Sequence, residues 1–297
     1  MLVVLNIVSG AAVRLTDSGL GCPDWPTCSV RSITPTLSFH PAMEFGNRMV
    51  VVALSVLVVA TVVAAALRRP GRRDLGWLSA GLLAGVVGEA VLGGVVVYTK
   101  LNPYAVMTHF MVGIALLTVA LVLAIRAGGG VGAPRRAAVG AGVRRLAYSF
   151  TTVTLVAICA GTATTGAGPH AGGAKAVRLP VPLDDMARTH SGLVLVAAAL
   201  LLCLLLVLHR SRANRSLQDR AQLVLAAVVG QGVIGYVQFF LHLPALLVGI
   251  HVLGATLVWC ATVWLLDAVR RPAAGPGIVE LVPATASVGA GAVAATR

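Results

Sequence analysis

Gly88-Glu89-Ala90-Val91-Leu92-Gly93 returns 142 residues later as Gly230-Gln231-Gly232-Val233-Ile234-Gly235. The same offset carries His109 onto His251, and both stretches lie inside long apolar segments. A glycine taken alone reads as ordinary membrane-helix packing, where a missing side chain lets helices approach closely. The alignment says more. It makes the chain two related halves in which the third and seventh apolar segments pack tightly against neighbours.

Composition agrees with a membrane setting. Of 297 residues, 58% are hydrophobic and 11% charged, with a mean hydropathy of +0.91. A soluble domain of this length does not look like this, whereas a polytopic membrane protein does. The formal net charge of +13 raises the question of nucleic acid. That class is excluded because the basic residues sit in short clusters between apolar segments, and aromatics are only 5%.

Hydropathy predicts an all-α fold of eight transmembrane helices, arranged as two pseudo-repeated four-helix bundles. The spans fall near 1–13, 44–67, 75–97, 106–126, 147–166, 188–209, 220–241 and 246–269. An N-terminal half covers 1–126 and a C-terminal half 147–269. The Gly-, Ala- and Arg-rich stretch 127–146 reads as a cytoplasmic linker, and 270–297 as a flexible cytoplasmic tail. Sixteen of the 23 basic residues fall on one side of the spans. The positive-inside rule makes that side cytoplasmic and puts both termini there, in the plasma membrane of a bacterium. The first span is short: Met1–Val13 rises only about 20 Å as a helix against a hydrocarbon core of about 30 Å. It therefore reads as a span that extends upstream or has been truncated. A signal peptide fits less well, because no basic n-region precedes it.

Four polar residues recur at one depth. Asn47, His109, His190 and His251 each lie near the start of a span that runs from outside to inside, with gaps of 62 residues between the first two and 61 between the last two. An isolated membrane histidine is usually a polar packing residue. Three at one depth in a repeat point to a ligand, and histidines facing each other across helices suit haem iron. His190 opposite His251 would hold a six-coordinate haem. Asn47 opposite His109 would hold a second tetrapyrrole more weakly, since an amide is a poor iron ligand. Cys22 and Cys28 share the first outer loop, where oxidation is permitted. They read as a disulfide or, alternatively, as two free thiols. Zinc is disfavoured because no second close ligand pair follows.

The segment from Gly10 to Cys28, with Cys22-Pro23-Asp24-Trp25-Pro26 at its centre, is the most specific stretch. Together with Glu44-Phe45-Gly46-Asn47-Arg48, Leu92-Gly93-Gly94, Leu101-Asn102-Pro103 and Gly166-Ala-Gly-Pro-His-Ala-Gly172, it closely resembles the haem A synthase family. The resemblance runs from about Val4 to Asp267 and is to an actinobacterial-like branch. It implies an oxidoreductase that converts a methyl group of haem O to a formyl group by successive hydroxylations with water-derived oxygen. The product, haem A, serves cytochrome c oxidase. It implies a haem b cofactor on His190 and His251, and haem O as substrate near His109 and Asn47. Most members carry a second histidine where this chain has Asn47, which leaves substrate ligation one-sided. Haem O synthase and the oxidase assembly machinery are the implied partners, with a membrane electron acceptor that the resemblance does not name.

The residues support those roles in their own right. Glu44 and Asn47 are i, i+3 and share a helix face. Oxidising a methyl group releases protons, and Glu44, matching the family's essential carboxylate, is placed to accept or shuttle them. The alternative is that Glu44 merely pairs with Arg48. Glu89, buried within a span, reads as an interhelical hydrogen-bonding residue, with a proton path as the other reading. Arg14, Arg48, Arg178, Arg188 and Lys175 lie on the outer side, where guanidinium groups could pair with haem propionates. Arg14 and Arg48 would serve the substrate, and Arg178 and Arg188 the cofactor. His170 reads as a lid or hydrogen-bonding residue. Two other classes compete: a di-haem electron-transfer cytochrome, which would need firm ligands at both sites, and a haem carrier. No phosphate-binding glycine loop with a lysine is present to power transport.

Overall fold

The structure is a computed structural model describing residues 1–30, 32–128, 139–173, 176–213 and 215–270. Among them are eight helices: α1 (Leu2–Leu15), α2 (Phe39–Leu67), α3 (Arg73–Tyr98), α4 (Pro103–Ala127), α5 (Ala141–Ala167), α6 (Leu183–Arg210), α7 (Arg215–Phe240) and α8 (Ala245–Arg270). Seven are long and apolar enough to cross a membrane. Their outward faces carry exposed Val56, Leu195, Val233 and Leu257, so they are apolar all round, as helices bathed in lipid must be. The chain is a multi-pass membrane protein. At 14 residues, α1 is about 21 Å long by the usual rise of 1.5 Å per residue.

Each span extends a turn or so beyond its apolar run. The first turns of α3, α6 and α7 include Asp74, Asp184, Asp185 and Arg215, which hydropathy assigns to loops although their backbone is helical. The largest difference lies in the linker. Residues Ala141–Leu146 of the segment 127–146 are helical and belong to α5, because Val143 and Ala147 bury against its neighbours. The rest of that segment from 129 to 138, together with Arg31, Lys175 and the tail from 271 onward, lies outside the described residues.

Two cores form. One is built by α5–α8 around Phe150, Leu201, Leu204, Leu208 and Leu265. The other is built by α1–α4 around Leu54, Val58, Val86, Ile114 and Leu117, and it also takes in Trp259 and Val263 from α8. Helix α8 therefore packs against α1 and α4 as well as α5 and α7. The indole of Trp259 donates to Thr118 Oγ1 at 2.8 Å, a polar tie across the join.

The repeat extends to backbone detail. The turn between α3 and α4 puts Lys100 and Leu101 in the left-handed region, and the turn between α7 and α8 does the same with His242 and Leu243. Both are closed by matching bonds, Leu101 N to Val96 O at 2.9 Å and Leu243 N to Gln238 O at 2.7 Å. After the first turn, Asn102 caps α4 by accepting from the amides of Tyr104 and Ala105, and Pro103 occupies the first helical turn where its missing N–H costs nothing.

These turns and the loops after α1 and α5 gather at one end of the bundle. Arg14 Nε donates to His170 O at 2.7 Å and Gly19 N to Gly172 O at 2.9 Å. His170 Nε2 in turn meets Leu243 O at 2.8 Å. The opposite end carries the arginine clusters, where Arg72 Nη1 donates to Arg126 O at 2.8 Å. Replacing Trp259 with Phe keeps the packing and removes the tie to Thr118. The expected cost is about 0.6–1.7 kcal/mol, read as a lower thermal midpoint in detergent. An unchanged midpoint would show that this bond does not hold the two cores together.

Candidate functional site

The four repeated polar residues each face a glycine on the preceding helix. A methyl placed on Gly161 of α5 would lie 3.1 Å from His190 Cε1, and one on Gly235 of α7 would lie 3.2 Å from His251 Cε1. In the other half, Gly93 of α3 comes within 3.8 Å of His109 Cε1, and Gly10 of α1 within 3.7 Å of Asn47 Nδ2, by the same measure. The even-numbered helix supplies the ring or amide, and the odd-numbered helix lacks a side chain where that group lies. Sequence reasoning missed Gly161, and it met Gly10 only as the start of the segment that runs to Cys28. The shared spacing of Gly93–His109 and Gly235–His251 was the one signal available.

His190 and His251 come together. Their ring centroids are 6.2 Å apart and the planes cross at 79°. Imidazoles on opposite sides of one metal, each bound through nitrogen at about 2 Å, place their ring centres at about that separation. His190 Nδ1 lies 2.8 Å from Ala157 O and donates to it, which leaves Nε2 with its lone pair free. A cavity of about 360 Å³ opens beside the pair between α5, α6, α7 and α8, lined by Thr154, Ile158, Val194 and Ala255 among others. Among the described residues, no three His, Cys, Asp or Glu side chains converge on a metal position. Two imidazoles are too few for a bare ion. They suit an iron whose four equatorial positions are already filled by a porphyrin.

The N-terminal half differs. Asn47 Nδ2 donates to Ser9 Oγ at 2.7 Å, and it lies 3.4 Å from both oxygens of Asn6, so its amide is committed to α1. His109 Nδ1 lies 3.3 Å from Glu89 Oε2. Neither His109 Nδ1 nor Glu89 Oε1 has a well-aligned hydrogen-bond partner among the described residues.

Cys22 and Cys28 form a disulfide. Its loop is strapped to the start of α2. Glu44 Oε2 accepts from Cys22 N at 2.8 Å, and Glu44 Oε1 pairs with Arg48 Nη2 at 2.6 Å. Arg48 also donates to the carbonyls of Cys22, Asp24, Pro26 and Thr27. The carboxylate is buried, and backbone and guanidinium hold it in one orientation. The indole of Trp25 lies over Gly94, where an added methyl would be 3.0 Å away, and Tyr98 Oη donates to Trp25 O at 2.7 Å. The disulfide loop thus covers the end of α3, one residue from the glycine that faces His109.

The arginines divide. Arg14 and Arg48, expected to face an anionic ligand, spend their donors on backbone carbonyls. Arg14 reaches His170 O and Thr165 O, at 2.7 and 3.1 Å. The physical reason is that the loops present more unpaired carbonyls than their own turns can satisfy. Arg188 is exposed at the rim of the 360 Å³ cavity. Arg178 is also exposed and touches Pro169 O at 3.5 Å.

Comparison with known proteins places this architecture. The family model described as cytochrome oxidase assembly protein matches residues 1–174, which include Glu44, Asn47 and His109 and end before His190. Among curated proteins, the heme A synthase of Geobacillus kaustophilus is 33% identical over 125 residues, 40% of this chain and 38% of that protein. The heme A synthase of Geobacillus thermodenitrificans is 35% identical over 127 residues, 41% of this chain and 39% of its own length. That of Shewanella oneidensis is 31% identical over 140 residues, covering 41% and 42% respectively. The matched stretch spans about two fifths of the length of these relatives. With more than half of its length matched by the family model, the chain belongs to the cytochrome oxidase assembly protein family.

Proposed function

We propose that the chain is a haem A synthase: an oxidoreductase that takes haem O to haem A, with haem b as its resident cofactor. The observation that carries the reading is the His190–His251 pair, 6.2 Å apart beside a cavity, together with His109 and Asn47 at the corresponding positions of the half that matches the family. Overall, a methyl group and one water become a formyl group, four protons and four electrons. A permanent redox centre needs two firm ligands, and the C-terminal half offers them. A substrate site must release its product, and the N-terminal half offers one histidine and an amide bound elsewhere.

His109 contacts the substrate iron through Nε2, the nitrogen that does not face Glu89. His190 and His251 would hold haem b, which would supply a centre able to take up the electrons. Glu44 receives protons at the outer surface, held in place by Cys22 N and Arg48. Arg188, exposed at the cavity rim, would pair with a propionate of the cofactor, with Arg178 as the further candidate. The N-terminal half spans 1–126 and the C-terminal half the helices α5–α8. The arginine-rich end faces the cytoplasm of a bacterium, and the disulfide end faces outward. The substrate comes from haem O synthase and the product goes to cytochrome c oxidase assembly. Asn47 speaks against a plain di-haem electron carrier, which gains nothing from a weakened second site.

Haems extracted from membranes of cells that make this chain with a haem O source test the reading by mass spectrometry. Haem A or its hydroxylated precursor is expected above the empty-vector level, and unchanged haem O would refute it. Glu44→Ala should lower product formation by about 10²–10⁴-fold, the usual worth of a positioned proton acceptor. The haem b absorption bands should survive that change. Normal turnover in this variant would remove Glu44 from the mechanism. Gly161→Val forces side-chain atoms onto the His190 ring at a cost of about 1–3 kcal/mol, which is about 5- to 150-fold in haem b affinity. Gly192→Ala, with nothing within 4 Å, is the control. Equal haem b content in both would mean that the glycine does not set the ligand position.

A further inference from the structure

The two halves share Gly-x-x-x-x-Gly segments that differ at three interior positions, one of which changes the polar group: Glu89 of α3 corresponds to Gln231 of α7. Gln231 Nε2 donates to the backbone carbonyl of His251 at 2.7 Å and not to its ring. Glu89 behaves differently. Its Oε2 lies 3.3 Å from the Nδ1 of His109 itself, and its side chain is only 9% exposed. Gly113 of α4 lies beside it, where a methyl would stand in ordinary contact, 3.6 Å from Glu89 Oε2. A carboxyl group buried among apolar residues is costly unless a partner uses it. Among the described residues, the polar side chain that the structure brings to Glu89 is that of His109.

We infer that Glu89 is the positioning residue for His109. Its carboxyl oxygen accepts from Nδ1–H, fixes the tautomer that presents Nε2 to the substrate iron, and strengthens the imidazole as a ligand. The inference rests on the haem O site proposed above and goes beyond it. An acceptor behind a ligating histidine raises the basicity of the ring and holds its orientation, and losing it costs about 10- to 100-fold in metal affinity. Here the effect is larger in consequence than in a bis-histidine site. With Asn47 turned to Ser9, His109 is the sole strong ligand, so its second nitrogen governs how tightly the tetrapyrrole is held. The C-terminal pair needs no such support, since two imidazoles share the iron and His190 is anchored by Ala157 O. Substitution of an amide for the carboxyl at 231 is consistent with that division of labour. In ligand-free proteins such contacts are often long and poorly aligned, and they tighten when the ligand engages.

The test uses the purified full-length chain in detergent, loaded with haem O. Glu89→Leu removes the acceptor, and Glu89→Gln keeps a weaker one of the same shape. Neither buries a new charge, so both are expected to fold, with the haem b bands as the check. Affinity for haem O should fall by about 10- to 100-fold in the Leu variant, with Gln between it and the parent. The iron–histidine stretching band of the reduced haem O complex should move to lower frequency in the same order, and His109→Ala should abolish it. An unchanged band and affinity in Glu89→Leu would overturn the inference, as would equal disturbance of the haem b bands, which marks a general structural effect. Failure of the synthase reading would look different. The graded band would be present while the parent chain makes no haem A.

Discussion

An imidazole held between membrane helices imposes one demand before any other: the neighbouring backbone must come close, and nothing may occupy the space of the ring. The chain meets that demand most closely at Gly161 and Gly235, opposite His190 and His251, while Gly93 opposite His109 and Gly10 opposite the Asn47 amide stand in ordinary contact. The glycine on the odd-numbered helix and the polar group on the even-numbered one set the pairing of α1 with α2, α3 with α4, α5 with α6 and α7 with α8. Helix order follows from there. The left-handed turns at Lys100–Leu101 and His242–Leu243 return the chain at the same level in both halves, so His109 and His251 sit at equal distances past their turns. In lipid, where apolar burial does not drive helix association, such close contacts are a main source of cohesion.

Duplication supplied two similar sites, and divergence made them unequal. The C-terminal pair is firm, with one ring anchored through Nδ1 and a cavity beside it. The N-terminal pair has traded a ligand for an amide tied to Ser9, and has gained a carboxyl behind its remaining histidine. On the proposed function, that inequality suits a fixed redox centre beside an exchangeable tetrapyrrole. The disulfide loop adds a third component. Glu44 and Arg48, one turn apart on α2, bind the loop through its backbone, so the buried carboxylate and the loop over the end of α3 are positioned by the same contacts. Across the join, Arg14 and Trp259 tie the halves together at two depths.

Much of this was legible in the sequence. Long apolar runs located the spans, because a hydrocarbon solvent leaves little freedom in where a helix can begin. Spacing placed Asn47, His109, His190 and His251 at one depth for the same reason. What stayed hidden was lateral. Which face of α5 meets His190 depends on helix rotation, and a glycine-rich segment such as Gly161–Gly166 gives no unique answer. The roles of Arg14 and Arg48 were hidden as well, because a guanidinium fits an anion and a set of loop carbonyls equally, and only the folded loop shows which is nearer. The pairing of Glu44 with Arg48 was visible as i, i+4 spacing, yet the amide of Cys22 as its second partner was not. Polar helix starts at Arg73, Leu183 and Arg215 were read as loop because hydropathy measures solvent preference and not backbone conformation.

A structure of the haem-loaded protein would test the central claim most directly, by single-particle microscopy or crystallography at a resolution that locates iron. The account places one iron between His190 and His251, with the cavity beside them filled by the porphyrin, and a second on His109 with Asn47 still bound to Ser9. An iron held by any other side chains, or a porphyrin lying outside the two glycine-flanked pairs, would contradict it.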